Sequence, residues 1–135
     1  MKLNIKELFK KLVVRQEVTC TIASGWTNYT TGLYPVVNRV GGVAEFYWTC
    51  KPTTAINPLN TTEHIVCTIP EGYRPIRNLY HVMQGSGTSI FHVTIKADGT
   101  VAVSRLRDMA NSNGAYTNAT TSMWFPICAT YIIGG

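Results

Sequence analysis

Charge is scarce in this chain of 135 residues: Asp, Glu, Lys and Arg fill 14% of positions, against roughly a quarter in ordinary globular domains. Seven carboxylates and three histidines leave little material for acid–base chemistry. Those outside the N-terminal segment, Glu45, Glu63, Glu71, Asp98 and Asp108, are expected beside turns or strand ends and not as a facing pair across a cleft. There is no G-x-S-x-G elbow, and "GSG" at 85–87 lacks the rest of a phosphate-binding loop and the helix that should follow it, so it reads as a turn. C-x-x-C pairs are also missing. Cys20, Cys50, Cys67 and Cys128 lie far apart in apolar stretches, and His64, His81 and His92 add no close ligand pair. No metal or cofactor is therefore expected, and the four cysteines read as buried thiols. No apolar run approaches the ~20 residues of a membrane span. Lys10 and Lys11 interrupt what could have been a secretory h-region, so the expectation is a chain folded in a cytoplasm with its thiols reduced.

The net charge of +5 is unevenly placed. Lys2, Lys6, Lys10, Lys11 and Arg15 stand against Glu7 and Glu17 at the N-terminus, while Arg39, Lys51, Arg74, Arg77, Lys96, Arg105 and Arg107 are scattered between turns. Counterion release on a nucleic acid needs a contiguous basic footprint, which this pattern does not provide, so no nucleic-acid partner is expected.

What the chain does have is threonine, 18 residues, and glycine, 11 residues, a composition that favours strands and turns within a single domain. One helix stands out. Over residues 2–15, Ile5, Leu8, Phe9 and Leu12 recur at the spacing of one helical face among lysines. So short a helix is marginal alone, and its apolar stripe needs a partner. A short parallel bundle across subunits is favoured; folding back on the sheet and lying on a membrane surface, for which an interfacial Trp is lacking, are the alternatives.

From residue 17 onward the helical period gives way to short β-type runs bounded by Gly, Pro and Asn. "EVTCTIA" alternates, and "LYPVVNRVGGVAEFYWTC" holds two strands broken at Gly41-Gly42. In "EHIVCTIP", Ile65, Cys67 and Ile69 are expected on one face. Three strands follow in 79–106, joined at 85–87 and at Asp98-Gly99, with Phe91, Val93 and Ile95 facing Val101 and Val103. The last run places Met123, Phe125, Ile127, Ala129 and Tyr131 on one face. Seven to nine strands without βαβ alternation predict an all-β fold: an antiparallel sandwich or jelly roll over 17–135, preceded by an amphipathic helix over 1–16.

Aromatics set in polar stretches, namely Trp26, Tyr29, Tyr34, Tyr47, Trp48, Tyr116 and Trp124, suit a saccharide. An aromatic face stacks on a pyranose while a few polar groups take its hydroxyls. Trp48, between Phe46 and Cys50, is expected in the core. Tyr116, within "NSNGAYTNATT", is expected to be the most exposed of the set.

The order "VVNRVGGVAEFYWTC", "CTIPEGYRPIRNLYHV", "VTIKADGTVAV" and "FPICATYI" resembles the head domain of tail proteins of phages that infect Gram-positive bacteria. "IPEGYRP" at 69–75 and "IKADGTV" at 95–101 are its most specific pieces, and Gly72, Tyr73, Arg74, Pro75, Asp98 and Gly99 match as scaffold residues. The resemblance implies a noncatalytic homotrimer on a tail tip, baseplate or fibre of the virion. Docked to other tail or baseplate proteins, it would attach to host cell-wall saccharide without inserting into a membrane. It carries over no binding residues. For those the 104–118 segment is the best candidate, being polar with one aromatic: Tyr116, Asn111, Asn113, Arg105, Asp108 and the nearby His92. A structural tail or decoration protein without ligand and a cell-wall glycan hydrolase are the alternative readings.

Overall fold

The computed structural model describes residues 4–110 and 113–134, with the side chains of residues 10–12 outside the description. Helix α1 (Ile5–Val13) precedes ten strands among the described residues. These are β1 (Gln16–Thr19), β2 (Thr21–Ile22), β3 (Trp26–Asn28), β4 (Val36–Val40), β5 (Val43–Pro52), β6 (His64–Thr68), β7 (Leu79–Gln84), β8 (Ser89–Ile95), β9 (Thr100–Asp108) and β10 (Phe125–Ile132). Two antiparallel sheets face each other. One runs β1-β4-β5-β10, with β3 pairing the far half of β5; the other runs β2-β6-β9-β8-β7. The fold is the expected sandwich. One strand more than expected arises because "EVTCTIA" divides at Cys20, whose amide donates to the Pro35 carbonyl at 2.8 Å while β1 pairs in one sheet and β2 in the other.

Alternation decides most of the burial. Along β5 every second residue, Ala44, Phe46, Trp48 and Cys50, is buried, and β10 answers with Phe125, Ile127, Ala129 and Tyr131. Phe91, Val93 and Ile95 meet Val101 and Val103 from the second sheet. The β4–β5 connection is a two-residue hairpin with Gly41 at φ 58°, the geometry that a sharply twisted turn requires.

The same alternation corrects two expectations. Cys20, Cys50 and Cys67 are buried, and burial pushes the Cys50 thiol well up, but Cys128 is exposed because it falls between the inward Ile127 and Ala129. In β6 a bulge between Ile65 and Cys67 inserts one residue into the ladder. Cys67 and Ile69 keep the core face, Val66 joins them, and Ile65 is turned out at 48% exposure. Among the expected turn carboxylates Glu45 is also different: it lies within β5, exposed opposite the core.

Asn4 caps α1, its side-chain oxygen accepting from the Glu7 amide at 3.3 Å. Ile5, Leu8, Phe9 and Val13 are all exposed, so these four side chains of α1 are not covered by the sheet. Arg15, just past its end, reaches the Asn38 amide oxygen on β4 at 3.2 Å.

Candidate functional site

A cleft of about 620 Å³ opens on the outer face of the first sheet. Tyr47 reaches it because β5 buries Phe46 and Trp48 on either side of it, which leaves the tyrosine pointing outward. Glu17 and Thr19 come from β1, Val36 from β4 and Thr49 from β5. The β3–β4 connection supplies Tyr29, Leu33 and Tyr34, and it is tied to the sheet by the Tyr29 amide donating to the Thr49 carbonyl at 3.0 Å. Trp124 closes the far wall, 6.4 Å from the Tyr29 ring between centroids and tilted 53° to it. Its backbone amide is fixed by the Ser86 hydroxyl at 2.7 Å.

Tyr29, Tyr34 and Tyr47 are 42%, 55% and 53% exposed, and the Lys51 ammonium lies over the Tyr29 ring, 6.0 Å from its centroid. Thr19, Thr49 and the carboxylate of Glu17, 3.6 Å from Arg15, offer hydrogen-bonding groups at the edge. Flat apolar walls with a few polar groups suit a ring that has an apolar face and a hydroxylated rim. Glu17 is the one carboxylate among the described lining residues, whereas glycosidic cleavage by the usual route takes two. The described residues hold no cluster of His, Cys, Asp and Glu suited to a metal ion, and no described helix is long and apolar enough to cross a membrane.

The described residues among those singled out from the 104–118 segment lie elsewhere and divide into two groups. His92, Arg105 and Tyr116 come together where β8 and β9 meet the following loop, joined there by Arg107, which was not among the candidates: His92 pairs with Ser104 and Arg107 bridges Tyr116. The Arg107 guanidinium lies 5.3 Å from the Tyr116 ring centroid. Tyr116 is only half-buried and less open than Tyr34 or Tyr47, because that guanidinium covers it, so the expectation that it is the most exposed aromatic is corrected. Hydrogen bonding to Arg107, and then to Arg105, holds the phenol below its ordinary pKa. Burial lowers the pKa of His92, and the charges of Arg105 and Arg107 lower it further. Asp108 instead shapes a turn, accepting from the Thr88 hydroxyl and from the Ala110 amide at 3.0 Å. Asn113 occupies a left-handed turn position at φ 45°, and Asn111 lies outside the described residues.

Tyr29, Tyr34, Tyr47 and Trp124 all belong to the aromatic set noted in the sequence. What the sequence did not disclose is that these four share one face, while Trp26 and Trp48 are core.

No protein-family model matches the chain, and no curated protein sequence matches it. Among solved structures, the fold is similar to the crystal structure of the receptor binding protein gp15 of Listeria phage PSA, with a TM-score of 0.53 and 12% identity over 93% of this chain and 70% of that one. At that identity the likeness is one of fold.

Proposed function

We propose that this chain is a noncatalytic phage tail protein that attaches the virion to saccharide on the host surface, with the aromatic cleft on the first sheet holding the sugar. Residues 17–135 form the head, and residues 1–16 form an assembly element that joins three copies and docks on the tail tip or baseplate. The observation that carries the reading is the set of Tyr29, Tyr34, Tyr47 and Trp124 on one open face. The fold shared with a phage receptor binding protein supports it.

A shallow sugar site of this kind gives about millimolar affinity, and three sites on one particle raise the avidity by ~10² through effective concentration. The test is binding to glycan arrays and to purified host-envelope polysaccharide. Tyr47→Ala removes an exposed ring, so stability should stay within about 0.5 kcal/mol of the parent. Its saccharide affinity should fall about tenfold. Unchanged affinity removes the cleft from the reading; no binding by the parent protein to any envelope polysaccharide favours a purely structural tail protein. Release of reducing sugar from envelope would establish a hydrolase instead.

Assembly has its own measurement. Ile5, Leu8 and Phe9 present an uncovered apolar stripe. Deleting residues 2–15 is expected to convert a trimer into a monomer by mass in solution. A truncated protein that stays trimeric would place the contacts in the β domain.

A further inference from the structure

The geometry points to an oxyanion-binding site, for a phosphate or carboxylate group, formed by Arg105, Arg107, Tyr116 and His92. It is separate from the aromatic cleft and does not depend on what that cleft holds.

The site exists because of a break in β9. Val101 and Val103 are buried, so unbroken alternation would send Arg105 and Arg107 into the core as well. A bulge opposite Phe91, between the Ile90–Arg107 and His92–Ser104 pairs, resets the parity. Leu106 enters the core instead, fully buried, and both arginines turn outward. The residue that makes the break is Arg105 itself, at φ 54°. That conformation costs an L residue about 1 kcal/mol, whereas glycine adopts it freely. Its amide donates to the Asn60 carbonyl at 2.6 Å and the Leu106 amide to the Leu59 carbonyl at 3.1 Å, so the distortion is held from the neighbouring loop. A strained position is thus occupied by a long cation where a side chain is not needed for the backbone path.

The charges so placed are not neutralised from within. The ion pairs of the described residues join Arg15 to Glu17 and Lys96 to Glu63. Glu63 is near enough for Arg105 to affect it, but it is already engaged by Lys96 at 2.9 Å and by the Thr94 hydroxyl at 3.1 Å. The Arg107 guanidinium lies over the Tyr116 ring, and its Nε is buried without a hydrogen bond. An oxyanion from solvent would meet the terminal nitrogens of the two outward guanidinium groups, which match carboxylate and phosphate oxygens in pairs. Tyr116 lies against Arg107, and His92 is near enough to Arg105 and Arg107 to feel their charges; each can donate a further hydrogen bond.

The test uses the full chain, with inorganic phosphate and acetate as separate probes against chloride at constant ionic strength, following the ring resonances of His92 and Tyr116. At least one probe is expected to shift them saturably in the millimolar range, and the preferred one tells phosphate from carboxylate. Arg107→Gln is expected to weaken that binding about tenfold through loss of the charge-assisted pair. Arg105→Gly should weaken it similarly while keeping or raising the thermal midpoint, since glycine relieves the strained φ. Arg77→Gln, which removes an exposed charge elsewhere, should leave the anion-induced shifts unchanged, and so should Tyr47→Ala whatever it does to saccharide binding. Absence of saturable shifts with both anions overturns the site, as does equal weakening by Arg77→Gln, which would reduce the effect to net charge.

Discussion

Gly99→Ala is expected to destabilise the fold by about 3 kcal/mol, a fall of about 10 °C in the unfolding midpoint. Gly99 closes the loop between β8 and β9 at φ 95°, its amide donating to the Lys96 carbonyl at 2.9 Å and its own carbonyl accepting from the Ile69 amide at 2.7 Å. The face a side chain would occupy is taken: a Cβ there would press into the Ile69 carbonyl oxygen and the Arg74 Nε, which are bonded to each other at 2.8 Å. The carbonyl belongs to the backbone and cannot rotate aside. Gly72→Ala provides the comparison, because Gly72 is also left-handed, at φ 89°, but a Cβ there would meet nothing. It should lose only the conformational part, about 1 kcal/mol. Equal losses at the two positions would show that the contact between the turns contributes nothing.

That contact gives a physical reason for the two most specific pieces of the sequence to occur together. "IPEGYRP" and "IKADGTV" touch through Ile69, Arg74 and Gly99. The first turn is also fastened to the rest of the fold: the Tyr131 hydroxyl donates to the Tyr73 carbonyl at 2.6 Å, and Arg39 donates to the Gly72 carbonyl at 2.6 Å. Burial drives the Tyr131 phenol well above its ordinary pKa, consistent with a hydroxyl that stays a donor. These hydrogen bonds tie the first turn to β4 and β10.

Strands and their inward faces were legible wherever strict alternation held, as in β5 and β10, because one parity there is largely apolar; which sheet each strand joins was not. Hairpins were legible from Gly41-Gly42 and Asp98-Gly99, since only a few residue types accept those turns. Legibility failed at the bulges. Ile65 and Arg105 each sit where one inserted residue reverses parity, and an arginine at positive φ leaves no compositional trace. The cleft was hidden for a different reason: its walls come from residues 17–19, 29–36, 47–49 and 124, which only the strand order brings together. The aromatic signal named its members without grouping them.

Phe125→Ala is expected to cost about 3–5 kcal/mol, the range for emptying a fully buried aromatic site. Phe125 joins the two sheets, meeting Trp26 edge-on at 5.6 Å and Phe91 at 4.9 Å between ring centroids. Each such pair adds about 0.5–1.5 kcal/mol beyond the area it buries. Phe91→Ala breaks the same cluster from the opposite sheet and should lose a similar amount. The two variants should nevertheless differ at the cleft. Phe125 directly follows Trp124, whose other hold is the Ser86 hydroxyl, so emptying the Phe125 site frees one side of the cleft wall. Phe91 lies on β8 and has no covalent route to that wall. Measured well below the unfolding midpoint, saccharide affinity should therefore fall further in Phe125→Ala than in Phe91→Ala at matched stability loss. Equal affinities would mean that the Ser86 bond alone positions Trp124, and that the core and the cleft are energetically independent.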